Sequence, residues 1–201
     1  MTKGRILSTK PATLEERIAE ALQGRALDVA ATEAIRGYGP EILGYLRSTC
    51  RSPEDAGDVF SQFAEDLWRA LPSFRGATTL RAFAYKIAWH AAARFYADAY
   101  RRRRKTMRTS MASKLAASVH VESKVELERD SAQLMKIRAE LGPEEQTLLV
   151  LRLDRGLPWE EIAEVLAEEG KPADQAALRK RFERLKSKIA RMAREQGLLD
   201  K

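Results

Sequence analysis

Apolar residues in this chain recur three and four positions apart along most of its length, and the recurrence breaks where glycine and proline fall. Leu14, Ile18, Ala21 and Leu22 form one such face, and Ile42, Leu43 and Leu46 a second. Val59, Phe60, Phe63, Leu67 and Leu71 form a third, and Leu80, Ala84, Ile87, Ala91 and Phe95 a fourth. That spacing is the one-sided stripe of a helix turning about 100° per residue. Between the stripes lie Gly24, "YGP" (38–40), "SP" (52–53), "LPSFRG" (71–76), "LGP" (141–143) and "RGLP" (155–158), the residue types that start and stop helices. Nowhere do apolar and polar residues alternate long enough for a sheet. The pattern predicts an all-α protein.

Charge and cysteine usage narrow the function. The 201 residues carry a formal net charge of +7 with 32% charged and 44% hydrophobic side chains, which fits a folded chain with a polyanionic partner. Nucleic acid is the first such partner and an anionic membrane surface the second. Cys50 is the only cysteine, so neither an intrachain disulfide nor a cysteine zinc site is expected. The opening "MTKGRILSTKPATLEER" lacks the apolar run of a signal peptide, and no stretch of about 18 apolar residues could span a bilayer. A cytoplasmic location without membrane insertion is expected. No phosphate loop, zinc-protease or nucleophile-elbow motif occurs, and His90 and His120 are the only histidines. No enzyme, metal site or cofactor is expected.

Composition divides the chain. After the cationic run Arg101–Lys105 comes "TMRTSMASKLAASVHVES", rich in Ser, Thr and Ala and without an aromatic. Residues 106–122 read as a flexible linker between two small helical domains, 1–105 and 123–201. Periodicity resumes with Val125, Leu127, Leu134, Ile137 and Leu141.

The downstream part has the form of a helix-turn-helix. A helix over Glu144–Arg152 carries Leu148, Leu149, Val150 and Leu151, with Leu153 just beyond, and the turn "DRGLP" follows. Pro158 opens a short helix with Ile162, Ala163, Val165 and Leu166 inward, and Asp174 can cap the last helix. There Leu178, Phe182, Leu185, Ile189 and Met192 share one narrow stripe, while Arg179, Lys180, Glu183, Arg184, Ser187, Arg191 and Arg194 occupy the other face. A short helix, a turn and a longer cationic helix suit a major groove, where guanidinium and ammonium groups reach guanine edges and phosphates. Periodicity alone equally allows a solvated basic helix in a bundle.

Upstream, "AYKIAWHAAARFYADAYRRRRK" (84–105) places Tyr85, Trp89, Tyr96 and Tyr100 on the side away from the apolar stripe, near Lys86. Aromatic faces stack on unpaired bases for about 1–3 kcal/mol each while cations follow the backbone. Tyr85, Lys86 and Trp89 suit that work; Tyr96 and Tyr100 suit packing equally well.

Two stretches resemble one family. "LGPEEQTLLVLRLDRGLPWEEIAEVLAEEG" with "AALRKRFERLKSKI" resembles region 4 of the extracytoplasmic-function sigma factors, a branch of the sigma-70 family. Asp55–Phe63, "LWRALPSFRG" (67–76) and Thr79–His90 running into the arginines resemble region 2 of the same family. The two occur in the family's order with a linker between them. The resemblance implies a subunit that binds bacterial core RNA polymerase and directs promoter-specific initiation. By position, Arg179, Lys180, Glu183 and Arg184 would face bases of the -35 element, with Arg181 and Lys186 nearer phosphates. Phe74, Arg75, Tyr85, Lys86, Trp89 and His90 would serve recognition and melting of the -10 element, with Arg101 and Arg102 as a phosphate-binding tail. Asp55, Asp58, Gln62 and Arg69 would meet the clamp helices of the polymerase largest subunit, and the flap of core polymerase would be a further contact. The family admits an anti-sigma factor as a further partner. His90 stands where the family usually has asparagine, Gly57 where it has an acid, Ala64 where it has an apolar ring, and "AEEGKPAD" is longer than the usual turn. A stand-alone helix-turn-helix regulator that does not bind polymerase is the alternative, with lipid-surface association a third reading.

Overall fold

The computed structural model describes residues 12–50, 52–97, 137–138, 140–167 and 171–197. Tyr100, Arg101, Arg102, His120, the linker 106–122 and the boundary at 123 lie outside these residues. The elements are α1 (Leu14–Gln23), α2 (Leu27–Thr49), α3 (Pro53–Ala70), a 3-10 turn (Leu71–Ser73) and α4 (Leu80–Ala97). Further along come α5 (Pro143–Leu149), a π-helical turn (Val150–Asp154), α6 (Trp159–Val165) and α7 (Gln175–Glu195). No β-strand occurs among the described residues, so the chain is all-α as expected.

Local chemistry fixes most helix ends. Thr13 and Glu16 form a reciprocal capping box on α1, satisfying two amides that the first turn would otherwise leave unpaired. Ser52 accepts from the Asp55 amide with Pro53 in the first turn of α3, and Pro143 follows Gly142 at the start of α5. Two expectations shift. Pro40, expected to punctuate, lies inside α2, which runs on from Leu27 to Thr49. The helix expected over Glu144–Arg152 is α-helical only to Leu149 and then widens into the π turn, leaving Leu153 exposed.

Packing is dense where α1 crosses α2. A β-carbon on Gly37 would sit 2.2 Å from a Leu14 methyl, so glycine there lets the two helices approach. α2, α3 and α4 bury Ile35, Ile42, Leu43, Leu46, Val59, Phe60, Phe63, Leu67 and Ala88 between them. The same hydrophobic cluster continues through Leu148, Leu151, Leu157, Ile162 and Val165, then to Leu178, Phe182 and Leu185. Helices from both ends of the chain thus share one core, with α6 against α4 and α5 against α2.

Candidate nucleic-acid interface

α7 presents its cations as its stripe requires. Asp174 accepts from the Ala176 amide at 2.9 Å and caps the helix, while Leu178, Phe182, Leu185 and Met192 are buried. That fixes the rotation of α7, so Arg179, Lys180, Arg181, Glu183, Arg184 and Lys186 all face solvent. Several are already engaged. Lys186 pairs with Glu183 at 2.9 Å, and Arg181 approaches Glu144 at 3.7 Å. Among the described residues, Lys180 and Arg184 have no ion pair.

Beneath this face, Trp159 of α6 meets the Phe182 ring edge-on at 5.6 Å. The guanidiniums of Arg152 and Arg179 lie 5.0 and 5.9 Å from the Trp159 ring. Cation–π attraction of this kind steadies an arginine while leaving its donors free. On the inner side Lys188 reaches Glu145 at 2.6 Å, and Glu145 also accepts from the Gly142 amide. The Lys188 hydrogen bond, helped by the Gly142 amide, holds the Glu145 carboxyl below its ordinary range. A single carboxylate therefore caps α5 and ties it to α7.

The 71–79 turn and α4 form a second surface. Phe74 leaves the 3-10 turn with its ring 5.0 Å from that of Phe83, and the Arg75 guanidinium donates to the Pro72 carbonyl. Gly76 takes a positive φ of 72°, open to glycine at little cost. Trp89 and His90 are half-buried. Burial first, with Lys86 and Arg94 nearby, pulls the His90 imidazole below its usual pKa, favouring the neutral ring.

Tyr85 corrects the sequence reading. It was expected on an open outer face, yet it is fully buried. Helical periodicity distinguishes the two sides of α4, but both are covered: one by α2 and α3, the other by α6. Tyr96 also turns inward, its hydroxyl donating to Asp55 at 3.3 Å and its ring edge-on to Phe95. Lys86 lies 3.7 Å from Glu164 of α6.

On α3, Asp58 is exposed and Asp55 half-buried beneath Tyr96. Gln62 donates to Asp66 at 3.0 Å, and Arg69 bridges Glu65 and Asp66. Arg94 of α4 also pairs with Asp66. Asp66 is the hub that links three of these side chains, and the sequence pattern did not distinguish it from its acidic neighbours.

A further polar group was not singled out from sequence at all. Arg81 binds Glu41 through Nε and Nη2 at 2.9 and 3.0 Å, and its Nη1 donates to the Arg155 carbonyl at 3.2 Å. Arg155 in turn donates to the Glu41 carbonyl at 3.3 Å. The Tyr45 and Thr147 hydroxyls share a buried hydrogen bond at 3.2 Å, and the Tyr45 and Tyr85 rings meet edge-on at 5.5 Å. These residues lie far apart in sequence, and no local motif marks them. Beside them a cleft of about 960 Å³ runs between α1, the 74–80 segment and α6, lined in part by Glu15, Glu160, Glu161 and Glu164. Among the described residues no cluster of His, Cys, Asp or Glu could hold a metal ion, and no helix is long and apolar enough to cross a membrane.

Comparison with known proteins adds three findings. The family model for Sigma-70 region 2 matches residues 34–106. The RNA polymerase sigma factor YlaC of Bacillus subtilis (strain 168) is 31% identical over 135 residues, covering 65% of this chain and 76% of that protein. The solved structure of CnrH in complex with the cytosolic domain of CnrY superposes with a TM-score of 0.59 at 21% identity, covering 91% of this chain and 99% of that one. At that identity the superposition speaks to shared fold.

Proposed function

The chain belongs to the extracytoplasmic-function branch of the sigma-70 family, and from that premise we propose how its surfaces divide the work of a sigma factor. It binds core RNA polymerase and directs promoter-specific transcription initiation. Sigma factors are generally non-enzymatic regulators, and no reaction is assigned to this chain. Two units, 1–105 and 123–201, act on two promoter elements through the linker 106–122, so that weak contacts reinforce one another through effective concentration. The site of action is the cytoplasm.

In this reading α7 enters the major groove of the -35 element. Arg179, Lys180, Glu183 and Arg184 read base edges while Arg181 and Lys186 bind phosphates. The observation that carries it is the rotation of α7, whose buried stripe leaves all of these side chains in solvent. Phe74, Arg75, Lys86, Trp89 and His90, with Tyr85 once uncovered, serve the -10 element, and Arg101 and Arg102 follow the backbone. Asp55, Asp58, Gln62 and Arg69 dock on the clamp helices of the largest subunit, with Asp66 organising Gln62 and Arg69. An anti-sigma segment is a further partner; the solved CnrH structure contains the cytosolic domain of CnrY, and this chain has the same fold. A regulator acting without polymerase is not favoured, because the family match lies on helices that a lone helix-turn-helix does not need.

The test is run-off transcription with bacterial core polymerase on a promoter library. Core binding and initiation at a subset of promoters are expected. Arg184→Ala should weaken -35 selection and Trp89→Ala promoter opening, both with core affinity intact. A chain that neither binds core nor initiates would sink the assignment.

A further inference from the structure

The Asp66 carboxylate accepts from its own helix on one oxygen and from the neighbouring helix on the other. Oδ1 takes Gln62 Nε2 at 3.0 Å and Arg69 Nη1 at 3.3 Å. Oδ2 takes Nη2 of Arg94, which lies in the last turn of α4. Gln62, Asp66 and Arg69 are four and three positions apart on α3, so they stand in one row on its surface. Arg94 reaches that row across the seam between α3 and α4.

Exposure separates the anchor from the groups it holds. The Asp66 side chain is 19% exposed, against 67% for Arg69 and 53% for Arg94. The carboxylate sits at the base and the two guanidiniums project past it. Along α4, most of the buried side chains are short: Ala82, Ala84, Ala88, Ala91 and Ala92. Such side chains interlock weakly with a facing helix, and apolar contact has no preferred direction. A charge-assisted bond is directional, and a partly buried one is poorly screened. The Asp66–Arg94 bond is therefore well placed to set how α4 lies against α3 near its last turn. Tyr96 supports it with a longer bond to Asp55 at 3.3 Å.

We propose that Asp66 is a positioning residue with two separable arms, one for each step of initiation. Through Oδ1 it holds Gln62 and Arg69 in place for the clamp helices. Through Oδ2 and Arg94 it holds α4 in the register at which Lys86, Trp89 and His90 receive the unpaired strand. Arg94 acts on opening through the helix it fixes and takes no part in docking. This inference rests on the sigma-factor reading and deepens it.

The test compares the full chain with Arg94→Met, Asp66→Asn and the exchanged pair Asp66→Arg with Arg94→Asp. Affinity for bacterial core polymerase is measured by fluorescence anisotropy. The rate of open-complex formation is measured at saturating core, on a promoter selected in the run-off assay. Arg94→Met should slow opening about three- to tenfold and leave core affinity unchanged. Asp66→Asn should lower both by a similar factor. The exchanged pair rebuilds the bond between α3 and α4, so opening should return to within about twofold of the parent. Its core affinity should stay low, because an arginine at position 66 repels Arg69 and offers Gln62 no acceptor. A merely stabilising ion pair would move both readouts together, in step with the melting temperature. Loss of core affinity in Arg94→Met, or an exchanged pair that opens no faster than Arg94→Met, would overturn the proposal. So would variants indistinguishable from a parent that initiates. A parent that initiates nothing would bring down the sigma-factor reading, and this inference with it.

Discussion

Tyr45 and Tyr85 touch each other, yet removing their hydroxyls should change stability in opposite directions. The Tyr45 hydroxyl shares a buried hydrogen bond with Thr147, itself 0% exposed. Tyr45→Phe removes a bond with a net worth of about 0.5–1.5 kcal/mol and leaves the Thr147 hydroxyl short of a partner, which brings the loss to about 1–2 kcal/mol. Among the described residues the buried Tyr85 hydroxyl has no hydrogen-bond partner, so Tyr85→Phe deletes a group whose desolvation costs about 1–3 kcal/mol in proteins. That variant should be neutral or gain up to about 1 kcal/mol. Burial pushes both hydroxyls above the ordinary phenol value, so neither ionises in a neutral buffer and the comparison is free of pH. For a chain of this size, about 2–4 °C accompanies each kcal/mol. Thermal unfolding followed by far-ultraviolet circular dichroism should show Tyr45→Phe melting lower and Tyr85→Phe at or above the parent. A cycle with Thr147→Val should return most of the Tyr45 loss as coupling. If Tyr85→Phe loses as much as Tyr45→Phe, the account of which hydroxyl is satisfied is wrong.

Other outcomes follow from single contacts. Asp174→Ala removes the side-chain cap of α7 and should cost about 1 kcal/mol in denaturant unfolding, with Asp174→Asn close to the parent. His90 has its folded pKa lowered by burial, so the unfolded chain binds the proton more readily. Stability should therefore be full above the unfolded value near 6.5 and fall as pH drops through the folded one. His90→Gln should flatten that slope in melts between pH 7.5 and 5. Glu145 has a depressed folded pKa through Lys188, so its contribution should be present above the ordinary carboxylate range and disappear as pH falls through the folded value. In Lys188→Met that acid-side loss should be smaller, measured by unfolding between pH 6 and 3.

Local signals were readable wherever the chemistry was local. "SP" at 52–53, "LGP" at 141–143 and Asp174 each act within a few residues of themselves, and each marks a helix start. Pro40 misled because its signal is also local while its outcome is not. Losing one backbone bond is outweighed by Ile35, Tyr38, Ile42, Leu43 and Leu46, all buried along one continuous α2. The exposed face of α7 was legible because a single stripe decides it. Tyr85 was not, because covering the second side of α4 depends on α6, whose sequence lies more than seventy residues away. The Arg155–Glu41 bond spans 114 positions, and only folding brings such partners together.

The widened turn at Val150–Asp154 bears on how the gene can change. There the Arg155 amide reaches back to the Val150 carbonyl, five residues away, so the backbone holds one residue more than a regular α turn would. Four successive side chains, Leu148 to Leu151, are buried across it, which a one-sided helix does not achieve. Deleting one codon in this stretch would restore ordinary helix and swing everything downstream by about 100°. Arg155 would leave Glu41 and Leu157 its pocket, while Thr147 stayed beside Tyr45. Substitutions at the exposed Leu153 should pass without penalty; a change of length should not.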